Sequence, residues 1–444
     1  MRALLSFALA ASLVIAGCSK DKDVEPPAKL VAFPQKLPVK ELWGDKVGGG
    51  KKQVKLRLGL GPAYDDGLVF AASDKGELVA VNLETGHQVW LKKFKKMQLS
   101  AGPGAGAGLV VVGSSKGWVI ALQGASGKEL WRTRVNSELL SAPAISEKIV
   151  VMRSVDGRLH GFDAGNGKML WSVEQLVPRL SLRGTATPII AKEVAVSGFD
   201  NGKVMAVSLA SGDTVWDTAL ATPHGRTELD RLVDVDSAVS VVGENVFATG
   251  FQGRTAMIAL DSGQIWWAHD MSSYRGLAAD EENLFVTESD GAVVALRQRD
   301  GSEVWRNDKL KRRGLSTPAV TSTAVAVADY QGYLHWLDKQ TGELVARERI
   351  AKFRVSNPPI AIKDTVVVLT DSGKLAAYRA SPRVTAVTAA PVAAPAAAAA
   401  PAAQSPAVPP PAEQPPAAES PTEQPATTPP SPAPTPPTPA PTPP

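Results

Sequence analysis

Few side chains of this 444-residue chain could carry covalent, redox or metal chemistry. The sequence has one cysteine, Cys18, and five histidines. A single cysteine allows neither a disulfide within the chain nor a cysteine pair over a redox cofactor. The histidines lack the close spacing of metal ligands and stand far apart, at His87, His160, His224, His269 and His335. We therefore expect no catalytic residues, no metal and no cofactor.

The chemistry expected of Cys18 depends on the residues before it. Residues 1–17 have a short basic start, an apolar run and small residues at the end, which is the pattern of a secretory signal. The run is too short to span a bilayer. An ordinary export signal with an incidental cysteine is one interpretation.

The other interpretation is lipidation. The string Ile15-Ala16-Gly17-Cys18 resembles the cleavage box of bacterial lipoproteins, and this resemblance implies that Cys18 carries lipid. By the same resemblance, Ser19 after the cysteine implies an outer-membrane destination in a Gram-negative bacterium, facing the periplasm. Residues 18–36 are then predicted to be the lipidated cysteine and a flexible tether.

The C-terminal end has a different composition from the rest of the chain. Of the 35 prolines, 21 lie in residues 385–444, which contain no Lys, Arg, aromatic, Leu or Ile. Such a segment cannot bury enough apolar surface to offset its ordering entropy. We predict a disordered Pro/Ala-rich tail over 382–444. The net charge of +4 is small for this length and gives no indication of a nucleic-acid partner.

Between these two ends the sequence repeats with a period of about 42 residues. A glycine recurs in a short turn, at Gly76, Gly117, Gly157, Gly202, Gly253, Gly291, Gly332 and Gly373. A second glycine follows the first seven of these after ten residues, at Gly86, Gly127, Gly167, Gly212, Gly263, Gly301 and Gly342. Four residues later there is a tryptophan in six repeats, at Trp90, Trp131, Trp171, Trp216, Trp267 and Trp305.

Each repeat contains short β-branched runs separated by glycine turns, which predicts four antiparallel strands per repeat and hence a β-propeller. The last repeat lacks its outer strand, and a matching element, Lys40-Glu41-Leu42-Trp43, stands alone before the first. The sequence therefore predicts an all-β, eight-bladed propeller over residues 37–381, closed by the N-terminal strand. We expect the tryptophans, including Trp43, to be structural and to pack between neighbouring blades.

Three positions depart from the repeat. The seventh repeat has Ala346 in place of the tryptophan. Four residues after the first glycine the side chain is small in most repeats, which would allow close packing of the sheets, but Met257 and Trp336 break this rule.

Two connections are longer than the others and are candidates for a functional site. The distance from tryptophan to the next turn glycine is 31 residues after Trp171 and 37 after Trp216, against 24 to 27 in the other interior repeats. Insertions in repeat folds concentrate where function is added. Alternation of strand direction places both on the face of the first turn glycines, as neighbours. Two longer solvated loops with no function are the alternative.

The Ser/Thr-Gly-x-x-x-Trp pattern is similar to the docking motif of eight-bladed quinoprotein dehydrogenases. The lipoprotein box, the eight repeats and the two long connections together resemble the propeller lipoproteins of the outer-membrane β-barrel assembly machinery. The relevant segments are Leu180-Ser-Leu-Arg-Gly184 and Glu228-Leu-Asp-Arg-Leu-Val-Asp-Val-Asp236. The resemblance implies a non-catalytic scaffold that binds the barrel-assembling subunit, through its periplasmic repeat domains, and assists the folding and insertion of β-barrel proteins.

The same resemblance implies which residues make the contact. Leu180 and Leu182 would enter an apolar groove of the subunit, Arg183 would pair with a carboxylate, and Asp234 and Asp236 would pair with basic groups. Other lipoproteins of the complex and unfolded barrel proteins are further possible partners. A quinoprotein-like periplasmic dehydrogenase and a structural or carbohydrate-binding propeller lipoprotein are the alternative functions.

Overall fold

A computed structural model describes residues 25–48, 58–182 and 186–381, and these residues form eight four-stranded antiparallel sheets. Blades 1 and 2 consist of β2 (Ala63–Asp65), β3 (Leu68–Ala72), β4 (Glu77–Asn82), β5 (Gln88–Lys93) and of β6 (Leu99–Gly106), β7 (Leu109–Ser114), β8 (Trp118–Gln123), β9 (Glu129–Arg134). Blades 3 and 4 consist of β10 (Ala144–Ile145), β11 (Ile149–Arg153), β12 (Arg158–Asp163), β13 (Met169–Glu174) and of β14 (Ile189–Ala191), β15 (Val194–Gly198), β16 (Lys203–Ser208), β17 (Thr214–Ala219).

The second half of the ring repeats this arrangement. Blades 5 and 6 consist of β18 (Ser240–Val242), β19 (Asn245–Thr249), β20 (Arg254–Ala259), β21 (Ile265–Asp270) and of β22 (Leu277–Ala279), β23 (Asn283–Thr287), β24 (Val293–Arg297), β25 (Glu303–Asn307). Blade 7 consists of β26 (Ala319–Val320), β27 (Ala324–Ala328), β28 (Tyr333–Asp338) and β29 (Leu344–Arg349). Blade 8 consists of β30 (Ile360–Ile362), β31 (Thr365–Leu369), β32 (Lys374–Ala380) and the N-terminal strand β1 (Val39–Lys46).

The ring closes in blade 8, where the two ends of the propeller pair. Strand β1 lies antiparallel to β32, with a register running from Val39 opposite Ala380 to Lys46 opposite Lys374. The predicted eight-bladed propeller with N-terminal closure is therefore confirmed. The described residues contain no helix, and hence none that is long and apolar enough to cross a membrane.

The core lies between the blades. The two middle strands of each blade are almost wholly buried, as β-branched and apolar runs predict, while the outer strands alternate buried and exposed residues. Buried apolar residues form eight clusters, and each cluster draws its members from two neighbouring blades. Stability of the ring therefore depends on each of eight junctions.

Seven of the eight junctions carry a tryptophan latch. The indole Nε1–H of each repeat tryptophan donates to a backbone carbonyl of the following blade at 2.6–2.9 Å. The donors and acceptors are Trp43 and Leu83, Trp90 and Gly124, Trp131 and Ala164, Trp171 and Leu209, Trp216 and Leu260, Trp267 and Gln298, and Trp305 and Lys339. The buried indole thus has its polar atom satisfied.

The second repeat glycine is required by this packing. At Gly167 a Cβ atom would lie 2.3 Å from the ring of Trp131, and the backbone has φ of +73°. No L side chain fits both the space and the conformation. The pattern glycine, three residues, tryptophan therefore encodes both halves of a latch, the acceptor turn of one blade and the donor of the next junction.

Blade 7 exchanges the two sides of this pattern. In the ladder between the third and fourth strands, a small residue usually lies opposite the tryptophan, as Ala121 lies opposite Trp131. In blade 7, Trp336 on β28 lies opposite Ala346 on β29. Two of the three departures from the repeat are therefore one compensating exchange of volume.

The sequence predicts a flexible tether up to residue 36, and this is wrong for its described part. Residues 25–37, here called the strap, lie along blade 7 and the connection before it. They bond to Val345 through Lys36 and Leu37 at one end and to Lys311 through Ala28 near the other. Residues 25–36 are therefore bound to the ring and do not form a free tether. The predicted signal peptide, Cys18 and the tail over 382–444 lie outside the described residues.

Candidate functional site

The two long connections lie on one face of the ring. The first, residues 175–188, joins blades 3 and 4, and the second, residues 220–239, joins blades 4 and 5. A Cβ on the turn glycine Gly157 would lie 2.3 Å from the carbonyl oxygen of Gln175, and one on Gly202 would lie 2.5 Å from that of Ala221. Both connections therefore begin against the first turn glycines, on the face predicted from strand alternation.

The first connection exposes apolar side chains to solvent. Gln175 holds its start, because its backbone N–H donates to the Gly157 carbonyl at 2.9 Å and its side chain accepts from Asn201 at 3.1 Å. Beyond it, Leu176 is 81% exposed and Leu180 is 42% exposed, while Leu182 is half-buried. Arg183 lies outside the described residues.

The second connection contains a short capped turn. The Thr227 hydroxyl accepts the Asp230 backbone N–H at 3.1 Å, and the Asp230 carboxylate accepts the Thr227 backbone N–H at 3.1 Å. These reciprocal bonds are those of a capping box at a helical turn. They hold Leu229 at the surface, where it is 66% exposed.

The two connections touch each other. The backbone N–H of Leu182 donates to Asp234 Oδ2 at 3.1 Å, across 52 positions of sequence. The predicted proximity of the two loops is therefore present in the structure. Asp234 therefore fixes the backbone of the first loop at Leu182, two positions after the exposed Leu180.

Asp234 and Asp236 do not lie on the rim, so the prediction of accessible carboxylates is wrong. They are 1% and 6% exposed. The segment is drawn inward because Asp234 and Phe251 exchange backbone hydrogen bonds and the Val235 N–H donates to the Phe199 carbonyl. Asp234 is thus enclosed between blades 4 and 5, whereas Asp236 lines a cavity together with Leu140, Arg275 and Ser356 from other parts of the ring.

The buried carboxylates share their surroundings with a buried ion pair. Arg153 bonds to Asp200, and its guanidinium lies 4.6 Å from the centre of the Phe199 ring. Burial, together with the charges of Asp236 and Asp200, raises the pKa of Asp234 to about 8, against the opposing effect of Arg153. Asp234 is therefore largely protonated at neutral pH, and a carboxyl in that form can still accept the Leu182 N–H.

Sequence reasoning missed two of the exposed side chains. Leu176 and Leu229 are more exposed than either leucine singled out from the sequence. A usable signal was present, because each is an apolar residue within an insertion that is otherwise rich in charged, polar or proline residues. The site is best described as a rim of three leucines, Leu176, Leu180 and Leu229, which we call the leucine rim.

Titratable groups elsewhere are explained by structure. No group of three or more His, Cys, Asp or Glu side chains within the described ranges is placed to hold a metal ion. His160 is buried between the hydroxyls of Ser154 and Ser172, at 2.9 and 3.0 Å, and burial lowers its pKa to about 4.

Comparison with known proteins agrees with this architecture. The family model described as outer membrane protein assembly factor BamB matches residues 39–97, 84–307 and 289–390. A protein of that name from Pseudomonas aeruginosa is 41% identical over 371 residues, covering 83% of this chain and 97% of its own. The protein of that name from Bordetella pertussis is 33% identical over 373 residues, covering 83% of this chain and 95% of its own.

Solved structures share the fold. The crystal structure of BamB from Moraxella catarrhalis aligns with a TM-score of 0.70 at 24% identity, over 77% of this chain and all of that one. The quinohemoprotein alcohol dehydrogenase from Comamonas testosteroni aligns with a TM-score of 0.60 at 11% identity, over 77% of this chain and 76% of that one. At these identities the likeness extends to the propeller alone. The family match and the curated relatives go further, and by them this chain belongs to the family of the outer membrane protein assembly factor BamB.

Proposed function

We propose that the protein is a non-catalytic scaffold in the assembly of outer-membrane β-barrel proteins. The family supports the general role, because relatives that align with this chain over most of their own length are named outer membrane protein assembly factors. The finer part of the proposal is that the two long connections bind the barrel-assembling subunit, through its periplasmic repeat domains. Other lipoproteins of the assembly complex would join the same assembly.

The observation that carries the binding site is the leucine rim. Leu176, Leu180 and Leu229 leave apolar surface in water on two loops that touch each other. Burying such side chains in a partner groove contributes about 25 cal/mol per Å² of apolar area. Interfaces concentrate their energy in a few central anchors of this kind. Leu182 and Arg183 complete the proposed contact on the first loop.

Asp234 has a positioning role in this proposal. Its side chain is buried and accepts the Leu182 N–H, so it cannot reach a basic group of a partner. It acts by holding the first loop against the second. Replacing Asp234 or Asp236 with lysine would bury a cation beside Arg153 and is expected to destabilise blades 4 and 5.

Attachment to the membrane is the remaining part of the proposal. Lipid on Cys18 would tether the ring to the inner leaflet of the outer membrane, on the periplasmic side. Labelling with a radioactive or clickable fatty acid, compared between the full chain and its Cys18→Ala variant, tests this step directly. Equal labelling of both chains would contradict it.

The binding site is tested by truncating single leucines. We expect Leu180→Ala and Leu182→Ala each to weaken binding to the periplasmic repeat domains by about tenfold, because each removes an anchor side chain. Isothermal titration with purified proteins measures the change, and thermal melts check the fold. Leu130→Ala is the matched control, since Leu130 is a similarly exposed leucine on the outer strand of blade 2.

Two outcomes would count against the proposal. Wild-type affinity in both loop variants removes Leu180 and Leu182 from the site, and equal weakening by the Leu130 control removes the specificity of the effect. The wider role is tested by purifying the full chain from detergent-solubilised membranes. Recovery with the barrel-assembling subunit is expected, and recovery with no component of the assembly machinery would contradict the role itself.

A further inference from the structure

The junction between blades 7 and 8 has neither part of the tryptophan latch. Ala346 stands where the donor would be. The acceptor turn is absent too, because in blade 8 the third strand β32 ends at Ala380 and the outer strand β1 begins at Val39, at opposite ends of the propeller sequence. Trp336 fills the volume on the neighbouring strand, but its buried Nε1–H has no hydrogen-bond partner among the described residues. Another contact has to hold this seam.

The strap occupies that position. The backbone N–H groups of Lys36 and Leu37 both donate to the Val345 carbonyl, at 2.8 and 3.1 Å. Lys36 also pairs with Glu343 at 2.8 Å. Leu37 is buried in the apolar cluster shared by blades 7 and 8. The strap therefore reaches from the outer strand of blade 7 into the seam.

Val345 shows how the strap changes the surface. The residue before the latch position is an exposed apolar side chain in six blades, with 39–56% of its area accessible, and these are Val89, Leu130, Leu170, Val215, Trp266 and Val304. Val345, the equivalent residue of blade 7, is 7% exposed. The strap thus covers on blade 7 an apolar position that these other blades leave open.

Two arginines, Arg313 on the connection between blades 6 and 7 and Arg347 on β29 of blade 7, hold the strap by its backbone. Arg313 donates from Nη1 to the Ala28 carbonyl at 2.8 Å, and Arg347 donates from Nη1 to the Val31 carbonyl at 3.0 Å. Both guanidinium groups are fixed from inside the blade. Asp329 accepts two bonds from Arg313, at 2.9 and 2.6 Å, and His335 accepts one from Arg347 at 3.2 Å.

The same network orders the histidine between the two arginines. His335 Nε2 lies 3.0 Å from Asp329, and its Nδ1 accepts from Arg347, so the proton of the neutral ring is on Nε2. Asp329 and His335 thus hold the two guanidinium groups through contacts that do not involve the strap. Preorganised donors reduce the ordering cost of binding an extended backbone.

The strap also contributes an apolar side chain to the preceding junction. Phe33 packs against the cluster shared by blades 6 and 7, and the Arg347 guanidinium lies 4.9 Å from the centre of its ring. Phe33 and Leu37, four residues apart, thus enter two successive junctions. One extended segment contacts blades 6, 7 and 8.

From these contacts we infer that blade 7 carries a binding site for an extended peptide with two apolar anchors, and that the strap is its resident ligand and the fastener of the seam between blades 7 and 8. The site recognises carbonyls through Arg313 and Arg347 and apolar side chains at the positions of Phe33 and Leu37. Ring closure therefore depends on a segment that precedes the propeller repeats. The inference is independent of the proposed partner.

Hydrogen exchange of the full chain tests the inference. In the double variant Phe33→Asp and Leu37→Asp we expect amides of residues 344–349 and 374–380 to exchange at least about tenfold faster than in the wild type, because the seam opens locally. Amides of residues 158–163, in blade 3, should keep their rates. Val31→Asp is the matched control on the same segment, since the Val31 side chain is half exposed and its carbonyl makes the contact.

Each outcome is decisive. Faster exchange confined to the seam, with wild-type rates in the control, supports the fastener. Unchanged rates at the seam overturn it, and so does an equal increase in all blades, which would be general destabilisation. If the aspartate variant does not fold, Phe33→Ala with Leu37→Ala is measured instead, with an expected increase of about threefold at the same amides.

Discussion

The ring departs from its repeat in two regions, and the two departures differ in kind. At the seam between blades 7 and 8 a repeated element is missing, and the strap with its two apolar anchors takes its place inside the structure. In the connections after Trp171 and Trp216 residues are added, and three of their leucines, Leu176, Leu180 and Leu229, are left in solvent. A loss is compensated within the chain, whereas a gain leaves apolar side chains at the surface, and the proposed partner contact rests on this difference.

Buried carboxylates show the same contrast. At the seam, burial alone would raise the pKa of Asp329, but bonds and charge from His335, together with Tyr333 and Arg313, hold that pKa below its usual value. Beside the loops, burial and two like charges raise the pKa of Asp234 to about 8. Asp329 accepts bonds from several donors, whereas Oδ1 of Asp234 has no hydrogen-bond partner among the described residues, so the pKa values of the two buried carboxyls shift in opposite directions.

The largest expected effect is a loss of stability at the seam. Trp336→Ala removes a fully buried side chain and should lower the free energy of unfolding by about 3–5 kcal/mol, the usual range for such truncations. Leu180→Ala, in the loop region, should change it by less than about 0.5 kcal/mol. Urea denaturation of both variants measures the difference. Similar losses would show that the loop is part of the core.

A second pair of variants separates the latch from the packing of tryptophan. Trp131→Phe leaves the Ala164 carbonyl without its indole donor, whereas Trp336→Phe removes an N–H group that has no described partner. We expect Trp131→Phe to cost about 1–2 kcal/mol more than Trp336→Phe. The comparison uses denaturant midpoints at equal slope. Equal costs would mean that the latch hydrogen bond contributes nothing.

A third comparison concerns pH. Asp234 keeps its proton in the folded state up to about pH 8, whereas the unfolded carboxyl loses it near its ordinary value of 3.8. Its contribution to stability is therefore full below pH 3.8 and falls as pH rises to 8, by at most about 1.4 kcal/mol per pH unit. Asp234→Asn should lack this fall, so its stability relative to the wild type should rise with pH.

Asp329→Asn provides the control of opposite sign. The pKa of Asp329 is lowered in the folded state, so its contribution is present above the ordinary value and is lost as pH falls through the folded value. The free energy of unfolding of this variant should be lower than that of the wild type at neutral pH, and the difference should shrink as the pH falls. Parallel pH profiles of the two variants would contradict the assignment of both carboxyls.

The ring could be predicted from the sequence because each repeat contains the residues that determine its own turns and junctions. Glycine spacing located the turns, and the tryptophan spacing located the latches. The exchange of Trp336 and Ala346 was visible as two separate exceptions, but only the strand register showed that they face each other. In this part of the fold, local residues decide local structure.

The candidate site was less predictable because its side chains are oriented by non-local contacts. The resemblance implied that Asp234 and Asp236 pair with basic groups of a partner, yet backbone bonds to Phe199 and Phe251 draw this segment inward. The strap was interpreted as a tether because it is rich in proline and charge. Its two anchors are single apolar residues, and no periodicity reveals what they contact.

The strap also limits how far the ring can stand from a bilayer. Glu25 pairs with Arg312 on the connection between blades 6 and 7, on the same face as the long loops. If Cys18 carries lipid, as proposed, only seven peptide units separate it from Glu25, a reach of at most about 25 Å. A tether free up to residue 37 would reach more than twice as far. The tether would be short and would start from one side of the ring, so the same side of the ring would face the membrane in every molecule.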